Sequence, residues 1–279
     1  MTVTPVRLTP RTVAKVWGAT ELEPWHRDTA EKTGEIWLEH PQGYRLPVLV
    51  KFLYTSEALS VQVHPDDDSA RRHGRLCGKT EMWVILRTAA GARIAHGLRE
   101  PVTRDRLRQA ALSGEIERLL DWKPVAAGDV LFTPAGVIHA IGPGLALCEI
   151  QQNSDVTYRL YDYGRPRPLE IEKAVEVAHL GPAPPRVVPA RLGPGRELLA
   201  WCEHFRVERL RLEAETSVEI EGDAVLIVLE GRGTFGSEVF HPGAAWLIPQ
   251  DQRCAARATE KATLLWAGFG PVASGAPLV

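Results

Sequence analysis

The sequence has no CxxC pair, and its four cysteines, Cys77, Cys148, Cys202 and Cys254, lie scattered along the chain. This argues against a disulfide framework and fits a reducing compartment. No apolar run approaches the roughly eighteen residues that a membrane-spanning helix needs. The opening Met-Thr-Val-Thr-Pro lacks the apolar core of a secretion signal. A cytoplasmic protein without a membrane partner is the expectation. A formal net charge of −2 leaves no basic field for nucleic acid, and no block of like charges suggests a tail. What the chain does have is 279 residues, 44% of them hydrophobic, enough for one large or two medium domains with real cores.

Most of that apolar content falls in short runs. Pro47–Leu53, Leu59–Val63, Glu81–Leu86 and Val130–Thr133 read as strands, separated by turns rich in Gly, Pro and Asp. Many short strands with such punctuation predict an antiparallel sandwich or barrel. Helical periodicity is confined mainly to residues 103–120. There Thr103 can cap a helix, Leu107, Ala110, Ala111 and Leu119 form its apolar side, and Gly114 breaks it. A second helix is expected over Glu170–Val177. The proline-rich stretch Leu180–Pro189 reads as a linker. Beyond it, Gly243-Ala-Ala-Trp-Leu-Ile-Pro249 repeats the Gly-to-Pro spacing of Gly128-Asp-Val-Leu-Phe-Thr-Pro134. Cys254 stands where the first copy has His139. The chain therefore reads as two related β-barrel modules, residues 1–180 and 181–279, the second stripped of its site.

Chemistry is signalled by polar residues in apolar strands. Lys51 lies within Val48-Leu-Val-Lys-Phe-Leu53, Glu81 precedes Met-Trp-Val-Ile-Leu86, and His139 lies in Val137–Ile141. Glu149 lies in Leu145–Ile150 and Arg159 in Val156–Leu160. Burying a single charge without a partner costs several kcal/mol. Five such interruptions are explained together if they converge on a metal or an anion. Ser60, Gln62 and His64 are spaced by two and share one strand face. Gly136 gives the backbone freedom just before His139, and Pro134 fixes the entry. Gln62, His64, Glu81 and His139, two imidazoles with an amide and a carboxylate, can close around one divalent ion. The other histidines, His26, His40, His73, His96, His179, His204 and His241, read as structural. Asp66–Asp68 reads as a solvated turn, Lys51 at a sheet edge is the bland alternative for that residue, and Cys148 reads as a core residue.

Gly128-x5-Pro134-x-Gly136-x2-His139 resembles a motif of the cupin superfamily. Ser60-Val-Gln-Val-His-Pro-Asp-Asp with Gly78-Lys-Thr-Glu81 is narrower, and resembles the type I phosphomannose isomerase family in its short bacterial form. Glu149-Ile-Gln-Gln-Asn-Ser-Asp155-Val-Thr-Tyr-Arg159-Leu-Tyr-Asp-Tyr163, Lys15-Val-Trp17-Gly18 and Gly34-Glu-Ile-Trp37 fit the same family. The likeness is strong to about residue 170 and weak beyond.

The resemblance implies a mainly β fold of two cupin-like jelly-roll barrels, with a small helical insert near 103–120 in the first. It implies one Zn²⁺ per chain on Gln62, His64, Glu81 and His139. Substrate and phosphate contacts would fall on Lys51, Ser60, Lys79 and Arg159, and catalytic roles on Glu149, Arg159 and Lys79. The reaction implied is the interconversion of mannose 6-phosphate and fructose 6-phosphate through an enediol. The partner is then a small sugar phosphate rather than nucleic acid, and the chain a monomer or homodimer. Glu149 is the first choice as proton shuttle because its carboxylate lies in an apolar strand; a metal-bound water is the second. The compact stretch between Glu81 and Gly128 offers little helical material for a lid. An Fe²⁺ or Mn²⁺ cupin oxygenase and a non-catalytic sugar-phosphate sensor are the competing readings.

Overall fold

Strands buried on both faces dominate the molecule, and the reason is visible in two of them. Every residue of Val48–Thr55 and of Leu145–Gln152 is buried, because both strands lie inside one sheet between two cores. The computed structural model describes residues 5–250 and 252–270; the Met-Thr-Val-Thr start read above for a secretion signal lies outside them. A six-stranded sheet runs in the order Thr9–Ala19, Thr33–Glu39, Val48–Thr55, Leu145–Gln152, Glu81–Thr88, Val130–Thr133. Facing it is a five-stranded sheet in the order Tyr158–Tyr161, Val61–Val63, His139–Ile141, Arg93–Leu98, Leu120–Pro124. The second half repeats the plan. A seven-stranded sheet runs Val6–Arg7, Ala245–Ile248, Ala224–Glu230, Ala262–Phe269, Phe205–Leu212, Arg196–Trp201, Ala190–Gly193. A four-stranded sheet of Ser217–Glu221, Arg253–Ala258, Gly233–Phe235 and Glu238–Phe240 completes it. All named pairings are antiparallel, as the turn-rich pattern predicts.

Alternation along each strand sorts side chains between layers. Val50, Phe52, Met82, Val84, Cys148 and Ile150 leave the six-stranded sheet on its outer face. They pack with Phe205, Val207, Val225, Ile227 and Leu265 of the seven-stranded sheet. The two halves thus share a core, and fully burying each such side chain is worth about 1.5–3 kcal/mol. They also share a sheet, since Val6 and Arg7 pair with Leu247 and Trp246. The inward positions Leu53, Trp83, Ile85, Leu131, Ile141 and Leu147 fill the first barrel. Leu226, Val228, Trp246 and Leu264 fill the second.

Helices occupy the expected places. Arg104–Ser113 is capped by Thr103, whose hydroxyl accepts from the Arg106 amide at 3.1 Å, and closed by Gly114 in the left-handed region. A short helix, Ile116–Leu119, follows, and another spans Ile171–Val177. Leu107, Ala110, Ala111, Ala174 and Val175 cover the outer face of the five-stranded sheet against Val61, Val63, Ile138 and Ala140. The helices therefore back the site rather than roof it. Asp66–Asp68 is no free turn: Asp66 caps a helix over Asp67–Arg72, and the Asp67 carboxylate accepts from the Gly78 amide and Gln152 Nε2, each at 2.8 Å. Acidic residues behind a proline suit a helix start as well as a turn, since they complement the helix dipole.

Candidate active site

Polar side chains gather at one end of the first barrel because the strands bring them into register there. Across the six-stranded sheet, Arg11 pairs with Trp37, Trp37 with Lys51, Lys51 with Glu149 and Glu149 with Trp83. Glu81 lies beside Gln151, two residues along. From the facing sheet, Gln62 pairs with both His139 and Arg159. All these residues alternate with side chains that go to the outer cores, so they point inward. Lys51 is 3% exposed on an interior strand, so the sheet-edge alternative does not hold. Gly136, at φ +88°, makes the turn that an L side chain resists, and its amide donates to the His64 carbonyl at 2.8 Å.

His64, Glu81 and His139 are each 1% exposed, and their ligand atoms lie within 4.8 Å of one another. His64 Nε2 is 3.6 Å from Glu81 Oε2, and His139 Nε2 is 3.3 Å from Oε1. The other ring nitrogens are committed. His64 Nδ1 donates to the Val156 carbonyl at 2.7 Å and His139 Nδ1 to the Val137 carbonyl at 2.9 Å. Those carbonyls fix the tautomers and leave both Nε2 lone pairs facing Glu81, an arrangement typical of metal-binding histidines. Gln62 stands beside them, its Nε2 3.2 Å from His139 Nε2 and its Oε1 accepting from Ser60 Oγ at 3.0 Å. Exchanging the amide's O and N, which differ only by assignment, turns its carbonyl toward the same centre.

The donor set fits a divalent cation on two further counts. Neither Glu81 oxygen meets a donor in hydrogen-bonding geometry, although both are buried. A cation is already drawn to the place, since Lys79 Nζ lies 2.9 Å from Glu81 Oε2 and 3.2 Å from His64 Nε2. Burial, then the Lys79 ammonium, push the His64 imidazole down to about 3, and burial also lowers His139. Both rings are therefore neutral and fit to ligate. Burial alone raises the Glu81 carboxyl, but the Lys79 ammonium reverses it and holds it well below the usual carboxylate range. Burial likewise opposes charge on Lys79, and Glu149 and Glu81 more than offset it, so its pKa is raised.

A cleft of about 460 Å³ opens beside this cluster. Six cationic side chains line it, Arg11, Lys15, Lys51, Lys79, Arg159 and Arg167, against the carboxylates of Glu35, Glu81, Glu149 and Asp155. Glu149 lies between the two lysines, with Lys51 Nζ 3.2 Å and Lys79 Nζ 3.9 Å from Oε1. Its Oε2 accepts from Trp83 Nε1 at 3.0 Å, whereas Oε1 meets no donor in hydrogen-bonding geometry. Its setting is thus less apolar than the strand around it implies. Arg159 keeps a long 3.9 Å contact to Glu170, and its Nε is unpartnered.

Every residue singled out in the sequence for the site, Lys51, Ser60, Gln62, His64, Lys79, Glu81, His139, Glu149 and Arg159, lies at this end of the barrel. Sequence reasoning gave no role to Arg11, Lys15, Glu35 or Arg167. Arg11 and Lys15 sit in a strand whose outer positions are also polar, so nothing in the pattern marks them as inward. Trp37, noted in the sequence only within Gly34-Glu-Ile-Trp37, lines the cleft. Cys77 lies away from the cluster, beside Arg45 and the Asn153 carbonyl.

No family model matches the chain. Among curated proteins, the mannose-6-phosphate isomerase of Streptococcus mutans is 33% identical, the match covering 81% of this chain and 85% of that one. Mannose-6-phosphate isomerase ManA of Bacillus subtilis is also 33% identical, over 84% of this chain and 88% of its own. Among solved structures, the Bacillus subtilis mannose 6-phosphate isomerase superposes with a TM-score of 0.84 at 28% identity, covering 96% of this chain and all of that one. Phosphomannose isomerase from Salmonella typhimurium shares the fold at 16% identity, with a TM-score of 0.77 over 95% of this chain. Taken with the geometry above, these matches establish that the chain belongs to the mannose-6-phosphate isomerase family.

Proposed function

We propose that this protein interconverts mannose 6-phosphate and fructose 6-phosphate, with one Zn²⁺ held by Gln62, His64, Glu81 and His139. The observation that carries this reading is the buried His64–Glu81–His139 cluster opening directly onto a cationic cleft that contains Glu149. Two neutral imidazoles, a neutral amide and one carboxylate leave the ion site with a formal charge of about +1. When bound there, the ion supplies Lewis acidity toward the oxyanion that develops during isomerisation.

The chain's own residues supply the rest. An open-chain sugar phosphate carries nearly two negative charges, and the cationic lining attracts it. Arg159, with its planar fork and unpartnered Nε, suits a phosphate, and Lys51 and Ser60 add a point charge and a hydroxyl. Trp83 anchors one oxygen of Glu149, and Oε1, the oxygen facing Lys51 and Lys79, is the proton carrier. Oε1 takes the proton from C2 of the aldose, and the C–H electron pair forms the C1–C2 double bond as O1 gains charge. Return of that proton to C1, with O2 re-forming a carbonyl at C2 as it gives up its proton, yields the ketose. Lys79, beside Glu149 and Glu81, is placed to move the oxygen-bound protons. Residues 1–180 act as the catalytic module in this reading, and 181–279 as its structural cover.

The oxygenase alternative finds little support. Gln62 beside the cluster and the abundance of fixed cations suit an anionic sugar better than oxygen activation. The test is a coupled assay with mannose 6-phosphate before chelation, after it and after zinc return. Activity that follows zinc is the expected result; full activity in a demonstrably metal-free sample overturns the metal assignment.

A further inference from the structure

Resting on that reading of Lys51 and Glu149, we propose that Trp37 is the positioning residue that holds the Lys51 ammonium in the cleft, with Glu35 and Lys15 locking the indole in place. Arg11, Trp37, Lys51, Glu149 and Trp83 stand side by side on neighbouring strands. Within that row, two indoles flank the Lys51–Glu149 pair. Trp83 fixes the carboxylate from one side through its N–H. Trp37 offers the ammonium its ring face from the other, with Nζ 4.7 Å from the ring centroid.

The Trp37 ring is itself tied down. Its Nε1 donates to Glu35 Oε2 at 2.6 Å, and Lys15 Nζ lies 3.5 Å from the same oxygen. Arg11 Cζ lies 4.4 Å from the ring centroid. Glu35 is 8% exposed, and burying a carboxylate with one indole and one lysine as partners is costly unless the arrangement has a use. Its use here is orientation. A lysine is a flexible point charge. Without the indole face, Glu149 alone sets the ammonium's place, and Lys51 loses the second contact that fixes it 3.2 Å from the Glu149 oxygen that carries the proton.

The test combines kinetics with a direct readout of Lys51. In zinc-loaded protein, Trp37→Leu is expected to lower kcat/KM roughly 3- to 30-fold, the range that a partly desolvated cation–π contact supports. Trp37→Phe keeps a ring face and should lose less. In a Lys51→Met background the same Trp37→Leu change should alter kcat/KM by no more than about twofold, because a residue acting through Lys51 has nothing left to act on. Equal losses in both backgrounds, or Trp37→Phe as damaged as Trp37→Leu, overturn the proposal. Independently of turnover, an NMR spectrum of lysine-labelled full chain should show the Lys51 ε-methylene protons shifted upfield by the indole ring current. Lys51→Met identifies that resonance, and Trp37→Leu should return it to the ordinary lysine position. An unshifted Lys51 resonance in the wild type overturns the positioning role. Absence of any turnover of mannose 6-phosphate would overturn the functional reading instead, and the ring-current result would still decide whether Trp37 holds Lys51.

Discussion

The two large sheets set their strands in the same order, and comparing them row by row shows how the barrel with the buried His64–Glu81–His139 cluster differs from the one without it. In the first, Leu131, Trp83, Glu149, Lys51, Trp37 and Arg11 are successive neighbours across the sheet. In the second, the matching row is Trp246, Leu226, Trp266, Glu208, Leu198 and Ala190. Leu131 and Trp246 stand at the same distance after Gly128 and Gly243, which fixes the alignment. Glu149 has thus become Trp266, and Lys51 has become Glu208. One dyad further, Glu81, which pairs with Thr133, is matched by Ala224, which pairs with Ile248. The Trp266 indole lies across Gly268, so close that a Cβ there would meet the ring at 2.3 Å, and its N–H donates to the Glu221 carbonyl at 2.9 Å. Glu208, buried, pairs with Arg196 and Arg206 instead of facing a substrate. One frame has therefore been used twice. An aromatic plug and a self-contained ion cluster close the second copy where the His64–Glu81–His139 cluster and Glu149 open onto a cleft in the first.

The sharpest way to break the comparison is at the metal. His139→Ala should lose the ion, bring turnover down to the level of the chelated enzyme and lower Tm, because metal affinity adds to folding stability. Cys254→Ala, at the matching place in the second barrel, should leave zinc content and kcat unchanged. Metal analysis of both proteins decides, and stoichiometric zinc in His139→Ala rules that residue out as a ligand. Next in size is the row position shared by Glu149 and Trp266. Glu149→Gln should lower kcat by roughly 10²–10⁴-fold with zinc retained, the usual range for a general acid–base group. Trp266→Phe should leave kcat alone and cost about 0.5–1.5 kcal/mol of stability through its lost hydrogen bond. Wild-type turnover in Glu149→Gln removes that carboxylate from the mechanism.

A smaller effect is expected at Arg159. Arg159→Ala removes a charged hydrogen-bonding group worth about 1.5–3 kcal/mol, and steady-state kinetics should show the loss mainly in KM. A fall in kcat with KM unchanged would move Arg159 from binding to chemistry. The mildest prediction concerns the seam between the halves. His26 donates to or accepts from Tyr54 Oη at 2.8 Å, and burial, with a smaller contribution from His241, pushes its imidazole from 6.5 down to about 4. Below its ordinary value the unfolded chain takes up a proton that the folded chain refuses. The stability that His26 contributes is thus complete above about pH 6.5 and is lost as the pH falls toward 4. Wild-type Tm should decline more steeply over that window than that of His26→Asn; parallel curves would show that His26 does not govern the seam.

Much of this was legible in the sequence because the relevant signals were polar residues breaking apolar strands. Lys51, Glu81, His139, Glu149 and Arg159 stood out for that reason, and Gln62 and His64 by their two-residue spacing on one strand face. Strand alternation then carried them inward without further information. The Gly-to-Pro repeat and Cys254 in place of His139 disclosed the second barrel. Arg11 and Lys15 were hidden because Thr9–Ala19 is exposed along much of its length, and a charged residue in such a strand looks ordinary; Glu35, in the largely buried Thr33–Glu39, drew notice only as part of Gly34-Glu-Ile-Trp37. Asp66–Asp68 was misjudged because turns and helix starts draw on the same residues. The substitution of Trp266 for Glu149 was invisible before the register was known, since sequence spacing alone does not say which residues stand opposite one another.

The pairing of Val6 and Arg7 with Trp246 and Leu247 bears on how the chain is made. A ribosome releases that short strand long before its partner. The outer face of the six-stranded sheet must likewise wait for Phe205, Val225 and Leu265 to cover it. The half that carries the His64–Glu81–His139 cluster is complete in sequence before its outer face is covered, so a nascent chain halted near residues 180–189 would leave that wall unsealed.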